Sequence, residues 1–410
     1  MKNVNPLFPT MGSQPSILML SRWLSPFILF IPIAISLRHG FLHNFVYSIA
    51  LFLAVFFITV VFRNRFGKME PTLGEKLFQH FTTDGYDLTV ALLRLLSFFQ
   101  LYLLALGGAY ILHALFLISM QVSMFIFLLL AIFMVQFKPG APHRHHVKVG
   151  LFLLTITGLL VYIFMTKSLE QVYNGVRLYH PYLLYVDGKS VGMFFIVSFL
   201  ILCGKLIIDP ITWQALVKLR SRQSYRSPYM VAFVWSSIGI AFAAITYAMV
   251  YIGFFHGIVT VFENLFSFLN QEFIYMTLAI LFIYILLDTF EMETRIFNRY
   301  RENDQNRFPY GLFLLVPFMY GTSWLHDFLT LFFLFGIVYA AFLPAFIKLL
   351  WTKSTLSIHF PLTIIFSSGI GYLSLLRLQF EIGVLIAFGL SVYLSLVKFE
   401  PTEKESISNT

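Results

Sequence analysis

The chain has 410 residues, of which 59% are hydrophobic and 11% are charged, and its formal net charge is +9. A soluble globular protein carries about 25% charged residues, so the composition excludes a water-covered surface and places most of the outside of this protein in lipid. The single cysteine, Cys203, excludes an internal disulfide and a cysteine-ligated metal cluster. A nucleic-acid partner is not expected, because the positive charge follows the membrane topology described below.

Apolar runs as long as a membrane-spanning helix recur along the chain, and no alternating strand pattern accompanies them. We therefore predict an all-α integral membrane protein. The sequence places about twelve spans at residues 15–37, 45–62, 90–113, 117–136, 149–166, 190–208, 228–255, 270–290, 310–325, 328–347, 359–376 and 380–397. The spans 310–325 and 328–347 are separated at 321–324, where polar residues and a tryptophan cluster. An alternative is that 310–347 forms one bent element.

Lysine and arginine residues are concentrated in one set of alternate loops. The poorer set holds only Arg38, Lys167, Arg177, Lys189 and Arg377, whereas the richer set includes basic residues at 63–76, 138–148, 218–226 and 295–307. Cytoplasmic loops carry the excess of basic residues. We therefore expect a multi-pass protein of the cell membrane with both termini cytoplasmic, a cytoplasmic segment at 1–14 and a disordered tail at 398–410.

Four segments resemble, in order along the chain, parts of the sodium/solute symporter family. The first span, ending in Leu-Arg-His-Gly at 37–40, is similar to that family's first core helix. The segment Pro-Thr-Leu-Gly-Glu-Lys at 71–76 resembles the family's threonine–leucine loop. The segment 208–216 resembles its proline-centred turn, and Ala-Phe-Leu-Pro at 341–344 resembles its small-residue–proline span. The resemblance implies a leucine-transporter-like core of two inverted five-helix repeats with broken first and sixth helices.

The placement of proline and glycine agrees with such a core. In inverted-repeat transporters the solute and ion sites lie where interrupted spans occupy corresponding positions in the two halves. The first span carries Ser25 and Pro26, and the sixth carries Gly204 ahead of Asp209 and Pro210. We therefore predict that the first span is interrupted near Ser25 and Pro26 and the sixth near Gly204. We expect the repeats at 15–166 and 190–347, with two additional spans at 359–397.

The family's sodium site resembles a cage of backbone carbonyls from the first helix and hydroxyls from a Ser/Thr pair on the eighth. In this chain that pair is replaced by two leucines or by Asp288 and Thr289, depending on the register, and Arg22 lies near a carboxylate position of the family. We therefore predict that sodium is not needed. One hypothesis is an Arg22–Asp288 ion pair in the sodium position. The alternative is that both are interfacial charges, with Arg22 reaching toward lipid headgroups.

Further charged residues lie in or beside the spans, where charge is costly and often functional. Lys205 and Asp209, four residues apart, are read either as a gate or proton carrier or as an interfacial anchor. Glu291 and Arg295 are expected to pair on a solvated helix extension that includes Glu293. The candidate solute and ion pathway residues are Arg22, Ser25, Pro26, Gly204, Lys205, Asp209, Asp288 and Thr289.

No nucleotide-binding loop, catalytic triad or zinc motif is present, so neither an enzyme nor a cofactor is predicted. The histidine-rich loop 143–146 lacks carboxylates and cysteine, and a lipid-facing basic loop is favoured over a metal site. The leading hypothesis is a secondary active transporter that moves a small solute across the lipid membrane by alternating access, with a proton rather than sodium as the coupling ion. The alternative is a non-transporting, symporter-like membrane sensor or scaffold.

Overall fold

The computed structural model describes most of the chain between Pro15 and Leu396. The described residues are 15–65, 82–137, 144–185, 187–221, 226–251, 257–269, 272–300, 307–318, 323–351, 358–375 and 379–396. Within these ranges the secondary structure is helical, without strands. The threonine–leucine loop at 71–76, the segment 1–14 and the tail 398–410 lie outside the described residues.

The described residues of the first half of the chain form seven helices, and a short amphipathic helix follows them. These helices are α1 (Pro15–Trp23), α2 (Pro26–Leu29), α3 (Ile31–His39), α4 (Phe41–Arg65), α5 (Thr83–Phe116), α6 (Met120–Phe137), α7 (Arg144–Thr166) and α8 (Leu169–Tyr179). The second half contains α9 (Gly188–Ile208), α10 (Pro210–Ser221), α11 (Arg226–Val250), α12 (Ile258–Leu269), α13 (Glu272–Arg299), α14 (Leu315–Phe318), α15 (Phe328–Trp351), α16 (His359–Leu375) and α17 (Phe380–Leu396).

Eight helices of the described chain are long and apolar enough to cross a membrane, and a ninth crossing results when the bent segment α1–α3 is counted as one span. The predicted spans at 359–376 and 380–397 are helices of 17 residues each. The predicted span 310–325 is wrong as a continuous helix, because its described parts are the 3-10 turns Tyr310–Leu314 and Ser323–His326 and the one-turn helix α14. Pro317 lies in α14, and proline inside a helix removes a backbone hydrogen bond.

The first span is interrupted next to Pro26. The axes of α1 and of the segment Pro26–His39 differ by 71°, and Ser25 is extended at φ −125° and ψ 170°. Pro26 has no N–H to donate and disfavours a helical conformation in the residue before it. The backbone instead closes a tight turn, in which Ser25 N donates to Trp23 O over 2.7 Å. The interruption therefore follows directly from the local sequence.

The second interruption lies at Asp209, and the predicted break near Gly204 is wrong. Helix α9 continues through Gly204 to Ile208, Asp209 is extended at φ −74° and ψ 114°, and α10 begins at Pro210. The proline, and not the glycine, ends the helix, because it again disfavours a helical residue before it. Gly204 has a packing role: a side chain there would collide with the backbone carbonyl of Tyr339 on α15.

The helices form two groups whose facing sides enclose both interruptions. We call the first group the bundle: it consists of α1–α3, α4, α9–α10 and α11, with α4 packed between α9 and α11. The second group, the scaffold, consists of α5, α6 and α13, with α5 packed against both other helices. Helix α15 packs against α9 and also against α16 and α17. The two interrupted spans meet, since α1 packs against α10.

The close crossing of α9 and α15 predicts that Gly204→Ala destabilises the protein. The added methyl group meets a backbone carbonyl, which cannot rotate away, so we expect a loss of about 1–3 kcal/mol. Gly192→Ala is the matched control, because a side chain at Gly192 in the same helix meets open space. Thermal unfolding in detergent is the measurement. Equal midpoints for the two variants would contradict the crossing.

Candidate functional site

The two interruptions bring charged side chains together at one end of the protein. We call this end, where α1 begins, the Arg22 end, and the opposite end, where α3 finishes, the Arg38 end. Helix α15 begins beside Arg38, where Asp327 pairs with it, and therefore ends toward the Arg22 end. Helix α17 ends there too, since the Lys348 amine near the end of α15 donates to the carbonyl of Ser395.

Arg22 joins the two interrupted spans to the scaffold. Its Nε lies 3.0 Å from Asp209 Oδ1, and its Nη2 pairs with Glu293 on α13. The side chains of Arg22 and Glu293 are buried, with 8% and 3% of their surfaces exposed. Glu293 also accepts a hydrogen bond from the Ser97 hydroxyl on α5. The guanidinium therefore holds three separate helices by charge-assisted hydrogen bonds.

Asp209 combines this ion pair with the cap of α10. Its Oδ2 accepts from the backbone N–H of Thr212 over 2.8 Å and from the Thr212 hydroxyl over 2.6 Å. A carboxylate at this position satisfies N–H groups that the first helical turn leaves unpaired. The Thr212 hydroxyl in turn accepts from Trp23 Nε1 over 3.3 Å. This hydrogen bond, together with the Arg22–Asp209 ion pair, holds the second interruption against the first.

Lys205 lies one turn before Asp209 and is buried, with 7% of the residue exposed. Its Nζ donates to Gln100 Oε1 on α5 over 3.2 Å, and it lies 3.0 Å from the ring centroid of Phe27 and 5.1 Å from that of Trp23. Aromatic faces attract an ammonium electrostatically. Among the described side chains no carboxylate lies within 4.0 Å of this amine. Lys205 and Asp209, although four residues apart, therefore do not form an ion pair with each other.

A small cavity lies between these groups. It has a volume of about 40 Å³, and its polar lining consists of Arg22, Ser97, Gln100, Lys205, Asp209 and Glu293. About 10–15 Å³ accommodates one water molecule, so the cavity has room for about three waters or for one small polar group. Aliphatic side chains from α5, α9 and α13, together with Pro210, Tyr300 and Tyr339, complete the wall.

A second amine lies at the first interruption, on the other side of α1. The Lys148 Nζ on α7 lies 3.1 Å from Ser21 O, 2.7 Å from Thr289 Oγ1 and 3.2 Å from Asp288 Oδ2. The side chains of Lys148 and Asp288 have only 0% and 1% of their surfaces exposed. The Thr289 hydroxyl also lies 3.0 Å from Leu24 O, at the break. An ammonium thus occupies a cage of backbone and side-chain oxygens between the broken span and α13.

The Arg38 end is closed by aromatic rings and by one ion pair. Phe30 stacks on Phe328 with centroids 4.9 Å apart and an interplanar angle of 6°, and Tyr110 donates to His326 O over 2.6 Å. Further out, Arg38 Nη1 lies 2.9 Å from Asp327 Oδ2, with the side chains 57% and 34% exposed. The centre is therefore separated from this end, and the cavity lies toward the Arg22 end.

Several predicted roles require correction. Arg22 does not pair with Asp288, because it is taken by Asp209 and Glu293 while Asp288 pairs with Lys148. The interfacial reading of Arg22 is also wrong, since only 7% of the residue is exposed. Ser25 is buried at the break, and Pro26 begins α2. The expected pair of Glu291 and Arg295 is present, but Glu293 points inward and is 2% exposed, so this part of α13 is not a solvated extension.

The sequence-based prediction missed Lys148, Glu293 and Gln100. Lys148 precedes an apolar run and had been counted among the loop charges that define topology, whereas the structure encloses it completely. Its neighbour His145 was predicted to lie in a lipid-facing basic loop, but it is buried in α7 and contacts the Ser21 hydroxyl through Nδ1 at 2.9 Å, while His143 lies outside the described residues. The available signal was helical spacing: Lys148 lies one turn after His145 on the same face.

The fold is similar to that of solved membrane transporters. Mhp1, a nucleobase-cation-symport-1 family transporter, is 12% identical in a closed conformation with bromovinylhydantoin bound (TM-score 0.53, 95% of this chain and 94% of that chain covered). Its inward-facing conformation is 14% identical (TM-score 0.55, 96% and 95% covered). A variant of the Eremococcus coleocola manganese transporter is 13% identical (TM-score 0.50, 94% and 92% covered). No family model and no curated protein matches the chain.

These likenesses confirm the predicted all-α, leucine-transporter-like fold class. At such low identities they show the fold alone. Membership of the sodium/solute symporter family stays a prediction.

The contrast between the two arginines predicts different losses of stability. Arg22→Ala leaves two enclosed carboxylates without their cation, and removing one partner of a buried pair is expected to destabilise by about 3–5 kcal/mol. Arg38→Ala is the matched control, because its pair is exposed and is expected to contribute about 1 kcal/mol or less. Unfolding in mixed micelles measures both variants. Similar losses for the two would rule out a central role for Arg22.

Proposed function

We propose that the chain is a secondary transporter of a small solute that works by alternating access, and that the Lys148 ammonium replaces sodium at the broken first span. The observation that carries this proposal is the position of Lys148 Nζ among Ser21 O, Thr289 Oγ1 and Asp288 Oδ2. Oxygen ligands of this kind also suit hard metal cations. A lysine amine in that position supplies the positive charge that a bound cation would bring, and it stays covalently attached to α7.

The closures at the two ends support alternating access. At the Arg38 end, Arg38 and Asp327 are partly exposed and join the bundle to α15. At the Arg22 end, Arg22 joins the bundle to Glu293 on the scaffold. The two closures share no side chain, so one can open while the other remains closed. Alternating access requires this independence, because one end must open while the other stays closed.

A proton is the coupling ion that this arrangement favours. Sodium cannot enter while the Lys148 ammonium fills the oxygen cage, and the charge at the cage changes only when Lys148 or Asp288 exchanges a proton. His145, one turn before Lys148, contacts the same stretch of α1 through Ser21. Proton exchange at Lys148 would leave the Asp288 charge uncompensated and weaken the hold of α7 on the broken span.

The basic residues and the two interruptions also bear on the membrane topology and on the internal repeat. The excess of basic residues in alternate loops supports a cytoplasmic Arg22 end, and therefore cytoplasmic termini in the cell membrane. The two interrupted spans begin equivalent units, at 15–166 and 190–347, which we propose as the inverted repeats. The outer helices α16 and α17 then form an addition to the core.

Distance measurements between spin labels test alternating access without knowledge of the solute. In a Cys203→Ser background, one label pair at Leu117 and Tyr185 reports on the Arg38 end, and a second pair at Phe137 and Met230 reports on the Arg22 end. We expect each pair to show two distances. Arg38→Ala should lengthen the first distance without lengthening the second. One unchanging distance in every pair would favour the sensor or scaffold instead.

Removal of the resident amine predicts a gain of sodium binding. Lys148→Ala leaves Asp288, Thr289 and backbone carbonyls around a vacant position, so sodium should stabilise this variant. A sodium concentration tenfold above the dissociation constant gives about 1.4 kcal/mol. Thermal midpoints in sodium chloride and in potassium chloride measure the effect, and the unmodified protein should not distinguish the two salts.

The double change Lys148→Ala with Asp288→Asn is the matched control, since it removes both charges of the cage. This variant should respond equally to the two salts. A sodium-specific rise in the unmodified protein would overturn the substitution of sodium by lysine.

A further inference from the structure

The cavity at the Arg22 end has unused hydrogen-bond donors and no unused carboxylate oxygen. Both oxygens of Asp209 accept hydrogen bonds, from Arg22 and from Thr212, and both oxygens of Glu293 are engaged by Ser97 and Arg22. In contrast, Nη1 of Arg22 has no partner among the described residues, although the side chain is more than nine-tenths buried. A ligand of this cavity must therefore bring acceptors.

Lys205 adds a positive charge to the same wall. Its ammonium has three donors, and the structure pairs one of them with Gln100 Oε1 while the rings of Phe27 and Trp23 lie against it. Asp209 and Glu293 balance the charges of Arg22 and Lys205 in the cavity lining, but neither carboxylate lies within 4.0 Å of the Lys205 amine. The remaining donors of Lys205 and the unpaired Nη1 of Arg22 are therefore both available to an acceptor inside the cavity.

We propose that this cavity binds the carboxylate of a short-chain monocarboxylic acid, the size of acetate or propionate. This inference rests on the proposed function and names the solute class of the transporter. The carboxylate accepts from Lys205 Nζ and Arg22 Nη1, and its short aliphatic part lies against Leu96, Ile208 and Ile296 in the cavity wall.

Three features of the cavity exclude other solute classes. The volume of about 40 Å³ is too small for a sugar or a nucleobase. The occupied oxygens of Asp209 and Glu293 leave no carboxylate to receive the ammonium of an amino acid. The two cations and two carboxylates of the lining sum to zero, so a dicarboxylate would add a second uncompensated charge in a region without bulk water.

The first test is ligand-dependent stability of the purified full-length protein. Potassium acetate replaces potassium chloride at constant total salt, with acetamide, glycine and potassium succinate in parallel. We expect a saturable rise of the thermal midpoint with acetate and with propionate alone. Acetamide has the shape of acetate without its charge, so an equal response to acetamide, or a larger one to glycine or to chloride, would overturn the assignment.

Two substitutions locate the site. Lys205→Gln removes the cation and should raise the dissociation constant for acetate by about tenfold to a hundredfold, as expected for the loss of one hydrogen bond to a charged group. Gln100→Glu gives Lys205 a carboxylate of the protein's own, so this variant should stay folded and lose its response to acetate. Lys167→Gln, which changes a lysine at the Arg38 end, is the control and should retain the affinity of the unmodified protein.

Gln100→Glu decides the question alone if Lys205→Gln does not fold, because an unchanged acetate affinity in this variant would refute the site. Counterflow of labelled acetate in proteoliposomes, compared with protein-free vesicles, separates this inference from the transport proposal. Binding without counterflow would support the site and overturn transport. Counterflow of a different solute by a protein that does not bind acetate would support transport and overturn the solute class.

Discussion

The first membrane-crossing segment stops being helical inside the protein, α9 ends beside it at Asp209, and the polar groups released at both breaks must be compensated without bulk water. Pro26 and Pro210 produce these interruptions, one in each half of the chain. The structure meets the requirement with ammonium and guanidinium groups: Lys148 beside the first interruption and Arg22 between the two. These contacts hold α7, α10 and α13 against α1.

The two cationic groups act on opposite sides of α1 and differ in what they leave unsatisfied. Lys148 lies among three oxygens and pairs with Asp288, so that its cage is filled. Arg22 satisfies two carboxylates but keeps one nitrogen unpaired beside a cavity, and Lys205 near it has no carboxylate of its own. In the proposed mechanism the first group replaces a coupling cation, and the second, with Lys205, receives the solute. Both act on the same short helix, which provides a physical route for coupling them.

The sequence was sufficient for those features that depend on local chemistry. The low charge content and long apolar runs determined an all-α membrane protein, and Pro26 determined where the first span breaks, because a missing N–H acts on adjacent residues regardless of packing. The same rule applied to Pro210 would have placed the second interruption correctly. The error arose from giving weight to Gly204, whose absent side chain serves the crossing with Tyr339.

Partner choice among charged residues was decided by the tertiary structure. Arg22 and Asp288 lie at similar depths in their spans, which made them plausible partners, but the rotation of α13 turns Glu293 toward Arg22 and Asp288 toward Lys148. Nothing in the local sequence specifies that rotation, because it results from the packing of α13 against α5 and α6. Lys148 illustrates the same limit. A lysine just before an apolar run has the same local sequence whether it lies in a loop or is enclosed between its own helix, α1 and α13. Composition and proline positions therefore determined the membrane fold and the first break, while the approach of α7, α10 and α13 to α1 decided which charges form the site.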